Sequence, residues 1–167
     1  MLGRYLLTVP YLKHKNVLDA GCGLGWGAYL ISGLPARLVA VDINESALAF
    51  ARTAWPVSNV DFRKCSVTDL KAAGEGFDCI LGFELLEHLY PDQAQQFLSQ
   101  AFGVLVPGGR VIASSYFPAT AGHARAAATS TSFHVHEFSQ EEIRRMAEKA
   151  GFRKTVFHGE CLVVIVK

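Results

Sequence analysis

Hydrophobic runs and amphipathic stretches alternate along most of the chain. Residues 17–20 read as the end of a buried strand, and residues 28–31 continue an apolar helix that spans 25–33. Residues 37–43 are almost wholly apolar, the pattern of a strand covered on both faces of a parallel sheet. Helix 47–53, strand 59–66 and strand 77–83 follow. Pro91 and Asp92 suit a helix first turn and open helix 92–105, on which Phe97, Leu98, Ala101, Phe102 and Leu105 share one face. Pro107 stops that helix, the next glycines take the turn, and residues 110–116 form a fifth strand. Ser139 and Glu142 make a Ser-x-x-Glu capping box for helix 140–150, which ends at Gly151. Segments 153–158 and 161–167 close the chain as a hairpin. At the other end, residues 2–12 are weakly helical and broken by Pro10. Residues 117–138 form a long loop whose small-residue stretch, 124–132, reads as mobile.

Composition narrows the class. A chain of 167 residues, half of them hydrophobic, fits a single domain spanning 1–167 with a substantial core. A net charge of +1 gives no bulk attraction for nucleic acid. Cys22, Cys65, Cys79 and Cys161 are scattered without a Cys-x-x-Cys pair, which argues for a reduced, cytoplasmic compartment rather than a disulfide framework or zinc ribbon. The first residues are too short and interrupted for a signal peptide, and the longest apolar run, 162–166, cannot span a bilayer.

The chemistry concentrates at Asp19-Ala20-Gly21-Cys22-Gly23-Leu24-Gly25-Trp26-Gly27. Strand, glycine turn and helix start together make a nucleotide site, with backbone N–H groups expected to face the ligand. Gly23 to Ala28 also satisfies Gly-x-Gly-x-x-Ala, so a dinucleotide is an alternative. Asp19 disfavours a pyrophosphate and suits a cationic amino group. Asp42, about 20 residues past the loop, is placed for the two ribose hydroxyls. The alternative is a turn position ahead of a helix capped by Asn44 or Ser46.

Three segments carry a resemblance: the Asp-x-Gly-x-Gly-x-Gly loop, the run Phe77-Asp78 through Glu84-Leu85-Leu86-Glu87-His88-Leu89, and Leu105-Val106-Pro107-Gly108-Gly109. Together they resemble the class I S-adenosylmethionine-dependent methyltransferases, over a span from about residue 17 to the end. The resemblance implies an α/β fold: a Rossmann-like, seven-stranded, mostly parallel sheet with helices on both faces and an antiparallel last strand. It implies S-adenosylmethionine bound by Asp19, Gly21, Cys22, Gly23, Gly25, Asp42, Ile43, Ser66, Val67 and Phe83. The family often has an acid at the adenine; here Ser66 stands there, with the Val67 backbone beside it. A leading helix lies over the cofactor in the family, though the sequence does not place Arg4 or Tyr5.

The acceptor belongs near Phe83, Glu84 and His88, beneath the loop 117–136. His88, His134, His136 and Glu84 are the candidate bases. His134 and His136 face opposite ways if extended, so one at most enters the site, and His136 is preferred. Glu84, Glu87 and His88 share a helix face if the turn is helical and could hold Mg²⁺, completed by His134 or His136. Family members that make ubiquinone or 2′-O-methylate small RNA ends look similar here. The expected activity is methyl transfer to a small molecule, at oxygen. The alternatives are a metal-assisted RNA 2′-O-methyltransferase and a non-catalytic cofactor-binding subunit.

Overall fold

The computed structural model describes residues 2–117 and 134–167. Seven strands form one sheet in the order β3-β2-β1-β4-β5-β7-β6. They are β1 (Asn16–Ala20), β2 (Arg37–Asp42), β3 (Val60–Lys64), β4 (Phe77–Phe83), β5 (Leu105–Ser114), β6 (Lys154–His158) and β7 (Leu162–Val166). The helices are α1 (Leu2–Leu12), α2 (Trp26–Ile31), α3 (Glu45–Ala54), α4 (Pro91–Val104) and α5 (Gln140–Ala150). Pairings among β1 to β5 are parallel, and β7 is antiparallel to both neighbours. The expected fold class is therefore the observed one.

Period-two alternation divides the core. Val17, Leu38, Ala40, Cys79, Leu81 and Ile112 face α1, α2 and α3. Leu18, Val39, Val41, Ile80, Val111 and Ala113 face α4 and α5. Because both faces are covered, these strands read as continuous apolar runs. The sheet order reverses between β1 and β4, and the C-terminal ends of these two strands form the crevice where open α/β sheets bind ligands.

Local signals explain the helix ends. The Asn44 side chain caps α3, accepting from the Ala47 N–H at 3.1 Å, so Asn44 and not Ser46 starts that helix. Ser139 and Glu142 cap α5 reciprocally, and Gly151 ends it at φ 104°.

Two expectations about proline fail. Pro10 lies within α1 without breaking it. The carbonyl of Leu6, which Pro10 cannot pair, belongs to an exposed residue, while Tyr5, Thr8 and Leu12 on the opposite side are buried and hold the helix in place. Pro107 does not stop α4, which ends at Val104. β5 begins at once at Leu105, and the exposed Pro107-Gly108 pair is absorbed where the register with β4 shifts between Phe77 and Cys79. The expectation of a mobile stretch at 124–132 lies outside the described residues.

Candidate active site

The glycine loop leaves β1 and reaches α2 through positive φ at Gly21, Gly23 and Gly25. Gly25 is required twice over: φ is 76°, and a Cβ would lie 2.6 Å from the Ala51 Cβ. Four of the loop's N–H groups are taken within the fold rather than turned outward as the sequence suggests. Those of Gly21 and Cys22 donate to the Val41 carbonyl at 2.8 and 2.9 Å, and that of Gly25 to the Cys22 carbonyl at 3.0 Å. The Gly23 N–H donates to Asp42 Oδ2 at 2.8 Å. Gly21, Cys22 and Gly23 thus turn their donors onto the end of β2, and Gly25 closes a turn within the loop. The Trp55 indole N–H fastens its outer side through the Leu24 carbonyl at 2.8 Å.

Asp42 stands at the end of β2 with both carboxylate oxygens held by backbone, Oδ2 by Gly23 and Oδ1 by the Asn44 N–H at 2.8 Å. Each oxygen retains lone-pair capacity for a ligand hydroxyl. Beside it lies a cleft of about 270 Å³ that brings together Gly21, Asp42, Ile43, Ser66, Val67 and His88 from the sequence-predicted set. Cys65, Thr68, Leu85, Leu89 and Gln93 complete its wall, and none of these is among the sequence-predicted site residues. Ser66 Oγ is 2.7 Å from Thr68 Oγ1 and accepts from the Thr68 N–H, which fixes the hydroxyl at the wall. Asp19, Cys22, Gly23, Gly25 and Phe83 do not line this cleft. Cys22 and Phe83 are buried in the core on the α1 side.

Asp19 sits beneath the loop with 1 % of its surface exposed. Burial pushes its carboxyl up to about 7, against the hydrogen bond from Tyr5, with Asp42 adding to the rise. Tyr5 comes from α1, donating its hydroxyl to Asp19 Oδ2 at 3.2 Å and Oδ1 at 3.4 Å. Its ring packs edge-on against Trp26 and Phe83, at 5.4 and 4.7 Å between centroids. Arg4, one residue earlier, forms an ion pair with Glu84. The leading helix therefore bridges the ends of β1 and β4, a contact hidden in sequence because the partners lie 14 positions apart in one pair and 80 in the other.

Past β4 the chain turns sharply. Glu84 has φ 52°, stabilised by its N–H donating to the Ser114 carbonyl at 3.0 Å and by Ser114 Oγ donating to its carboxylate at 3.0 Å. This left-handed residue lies outside the short 3-10 turn Leu86–His88, so the shared helix face expected of Glu84, Glu87 and His88 does not form. Instead Glu87, His88 and His134 each present a ligand atom, all within 4.8 Å of one another. The His88 and His134 rings lie 5.4 Å apart, nearly perpendicular. Backbone bonds from Val135 and His136 to the Glu87 carbonyl, at 2.7 and 3.3 Å, bring this strand of chain in. His136 faces away, with Nε2 3.4 Å from Glu142 Oε1 and its ring against Phe138. Glu87 is 2 % exposed, and among the described residues its Oε2 has no hydrogen-bond partner. Burial raises its pKa.

A second cavity, of about 230 Å³, opens near Lys15, Asp78 and Arg110 at the other end of the sheet, away from the crevice.

Residues 17–109 match the family described as a methyltransferase domain. A Mycolicibacterium smegmatis protein named a probable S-adenosylmethionine-dependent methyltransferase is 36 % identical over 164 residues, covering 93 % of this chain and 62 % of its own length. A ubiquinone biosynthesis O-methyltransferase of Thiobacillus denitrificans is 34 % identical over 161 residues, covering 89 % of this chain and 68 % of its own. The chain thus spans about two thirds or less of these relatives. An S-adenosylmethionine-dependent methyltransferase from Mesorhizobium loti shares the fold with a TM-score of 0.78 at 16 % identity, over 99 % of this chain and 96 % of that one. The glycine loop with its acidic partners, the seven-stranded order and these matches agree: the chain belongs to the class I S-adenosylmethionine-dependent methyltransferase family.

Proposed function

We propose that the chain transfers the methyl group of S-adenosylmethionine to a hydroxyl of a small molecule. The observation that carries the reading is the Asp42 carboxylate, locked to the glycine loop and facing a cleft that also collects Ser66, Val67 and His88. Asp42 would hold the ribose hydroxyls, Ser66 and the Val67 backbone would meet the adenine, and Asp19, buried beneath the glycine loop, would supply negative charge for the ammonium of the amino-acid end. The near-neutral charge favours a small acceptor over RNA. The ubiquinone O-methyltransferase among the relatives supports oxygen as the accepting atom. No helix among the described residues is long and apolar enough to cross a membrane.

Methyl transfer is an in-line displacement: the acceptor oxygen attacks the methyl carbon as the bond to sulfur breaks and the sulfur recovers its electron pair. Alignment and exclusion of water supply most of the acceleration. The hydroxyl proton must also leave, and His134, beside His88 and the buried Glu87, takes it, a contribution of about 10²-fold or more. His134 replaces His136 in this role because His136 lies against Glu142.

The Glu87–His88–His134 cluster and the orphaned Glu87 Oε2 also support a second reading, a divalent cation. Two imidazoles and a carboxylate suit Mn²⁺ or Zn²⁺ better than Mg²⁺, which prefers oxygen donors. Such an ion, when bound, would acidify a coordinated acceptor hydroxyl.

The test is production of S-adenosylhomocysteine from S-adenosylmethionine across a panel of phenols, catechols, sugars and hydroxy acids, with and without chelator. Acceptor-dependent turnover supports the proposal. Cofactor binding with no turnover on any acceptor supports a non-catalytic subunit instead. Loss of turnover in chelator, restored by Mn²⁺ but not by Mg²⁺, supports the ion.

A further inference from the structure

The cavity of about 230 Å³ at the far end of the sheet holds charge that the fold does not use up. Its charged lining is Lys15, between α1 and β1, Asp78 on β4 and Arg110 on β5. Both oxygens of Asp78 are engaged on one side. Oδ1 lies 3.4 Å from Lys15 Nζ, and Oδ2 accepts from the Asn16 N–H at 2.9 Å. Arg110 makes no ion pair with this carboxylate. Its guanidinium lies over the Tyr11 ring, 4.8 Å from the centroid, and among the described residues no hydrogen bond or ion pair takes its side-chain N–H donors. Stacking on Tyr11 fixes where those donors point without neutralising the charge.

The surroundings add to this field. Arg110 pairs in register with Val166, and Val166 with Lys154, so the exposed Lys154 stands on the same face of the sheet two strands away, about 10 Å distant. Within the cavity itself two cations against one carboxylate leave a net charge of +1. Pro10, Pro107 and the Tyr11 ring supply apolar wall. Gly108 and Gly109 leave the rest bare of side chains, where a ligand can approach the backbone.

From this geometry we infer that the cavity is a binding site for a small phosphate monoester. The Arg110 fork meets the phosphate oxygens, Lys15 stands beside it, and the organic body lies against Pro10 and Pro107. A phosphate monoester, close to a dianion at neutral pH, uses both cations, where a carboxylate would satisfy one. The site lies at the opposite ends of β1, β4 and β5 from the crevice, so its occupant competes with neither cofactor nor acceptor. The same phosphate chemistry is offered by a free solute and by a lipid headgroup.

The experiment titrates the wild type, Arg110→Gln, Arg110→Lys and Asp78→Asn with glycerol 3-phosphate by calorimetry, with glycerol as the control that lacks phosphate. Thermal melting by circular dichroism establishes that each variant is folded. Sedimentation with vesicles of phosphatidic acid, against phosphatidylcholine, tests the headgroup. The wild type binds glycerol 3-phosphate with a dissociation constant of about 1 mM or lower at about 0.05 M salt, weakens as salt rises and ignores glycerol. Amide shifts in nuclear magnetic resonance concentrate at Lys15, Gly108 and Gly109. Arg110→Gln weakens binding about tenfold or more, and Arg110→Lys, which keeps the charge but not the fork, falls between. Asp78→Asn tightens binding about threefold, because it removes the opposing charge and keeps an oxygen for the Asn16 N–H.

Binding to glycerol 3-phosphate assigns the site to a free solute. Arg110-dependent sedimentation with phosphatidic acid alone assigns it to a headgroup, and either result supports the inference. Binding of neither probe would overturn it, as would an affinity indifferent to Arg110→Gln, or amide shifts gathered at Gly21 to Gly25 instead. Neither cofactor nor acceptor enters the experiment, so its outcome is independent of the proposed methyl transfer.

Discussion

Asp19→Asn separates what the buried carboxylate does for the fold from what it does for the ligand. Folded Asp19 titrates at about 7 against an ordinary 3.8, so between those values the folded chain holds a proton that the unfolded chain has released. Stability therefore falls as pH rises through that window, by about 1.4 kcal/mol per unit for this one group. Asparagine keeps an oxygen to accept from the Tyr5 hydroxyl but carries no charge, so its own contribution is flat. From pH 5 to pH 8 the wild type crosses about two units of the window, and the variant's stability relative to it grows by about 3 kcal/mol. For a chain of this size that is about 10 °C in melting temperature. Urea denaturation followed by circular dichroism at both pH values reads the difference directly. At pH 8 the variant is the more stable protein and binds S-adenosylhomocysteine poorly, the trade expected at a binding site held under electrostatic strain. An advantage that is the same at pH 5 and pH 8, or a variant less stable at pH 8, would refute the reasoning.

Three further substitutions test other parts of the structure. Gly27→Ala forces a methyl group into the Tyr5 ring and should destabilise by about 1–3 kcal/mol in the same denaturation assay. Ser139→Ala removes the side chain that accepts the Glu142 N–H and should cost about 1 kcal/mol, with cofactor affinity unchanged by calorimetry. His134→Ala should lower kcat by about 10²-fold or more while leaving the dissociation constant of S-adenosylhomocysteine within twofold; an equal loss in His136→Ala would show that the two histidines are wrongly distinguished.

Features set by local chemistry were legible in the sequence. Residues 37–42 announce a doubly covered strand because every side chain there is either apolar or at an end. Gly151 and the Ser139–Glu142 box mark the bounds of α5 because caps are short-range devices. Asp42 could be placed near the loop because the length of a strand–helix–strand unit fixes where the second strand ends. What escaped is set by distant partners. The left-handed turn at Glu84 depends on Ser114, 30 residues on, and it removes Glu84 from the cluster that a helical turn would have formed. The inward aim of the Gly21, Cys22 and Gly23 N–H groups depends on the Val41 carbonyl and the Asp42 carboxylate. Alternation separates His134 from His136, but which of them meets His88 is decided by hydrogen bonds to the Glu87 carbonyl, which no spacing rule contains. The persistence of α1 through Pro10 follows from the burial of Tyr5, Thr8 and Leu12 against the rest of the fold.

The claim that the crevice between β1 and β4 grips an adenosyl amino acid is tested most directly by calorimetry with S-adenosylhomocysteine and NAD on the wild type and Asp42→Ala. The account predicts micromolar affinity of the wild type for S-adenosylhomocysteine, none for NAD, and a loss of 30-fold or more in Asp42→Ala, on the order of two charged hydrogen bonds. Tight binding of NAD, or S-adenosylhomocysteine affinity untouched by Asp42→Ala, would contradict it.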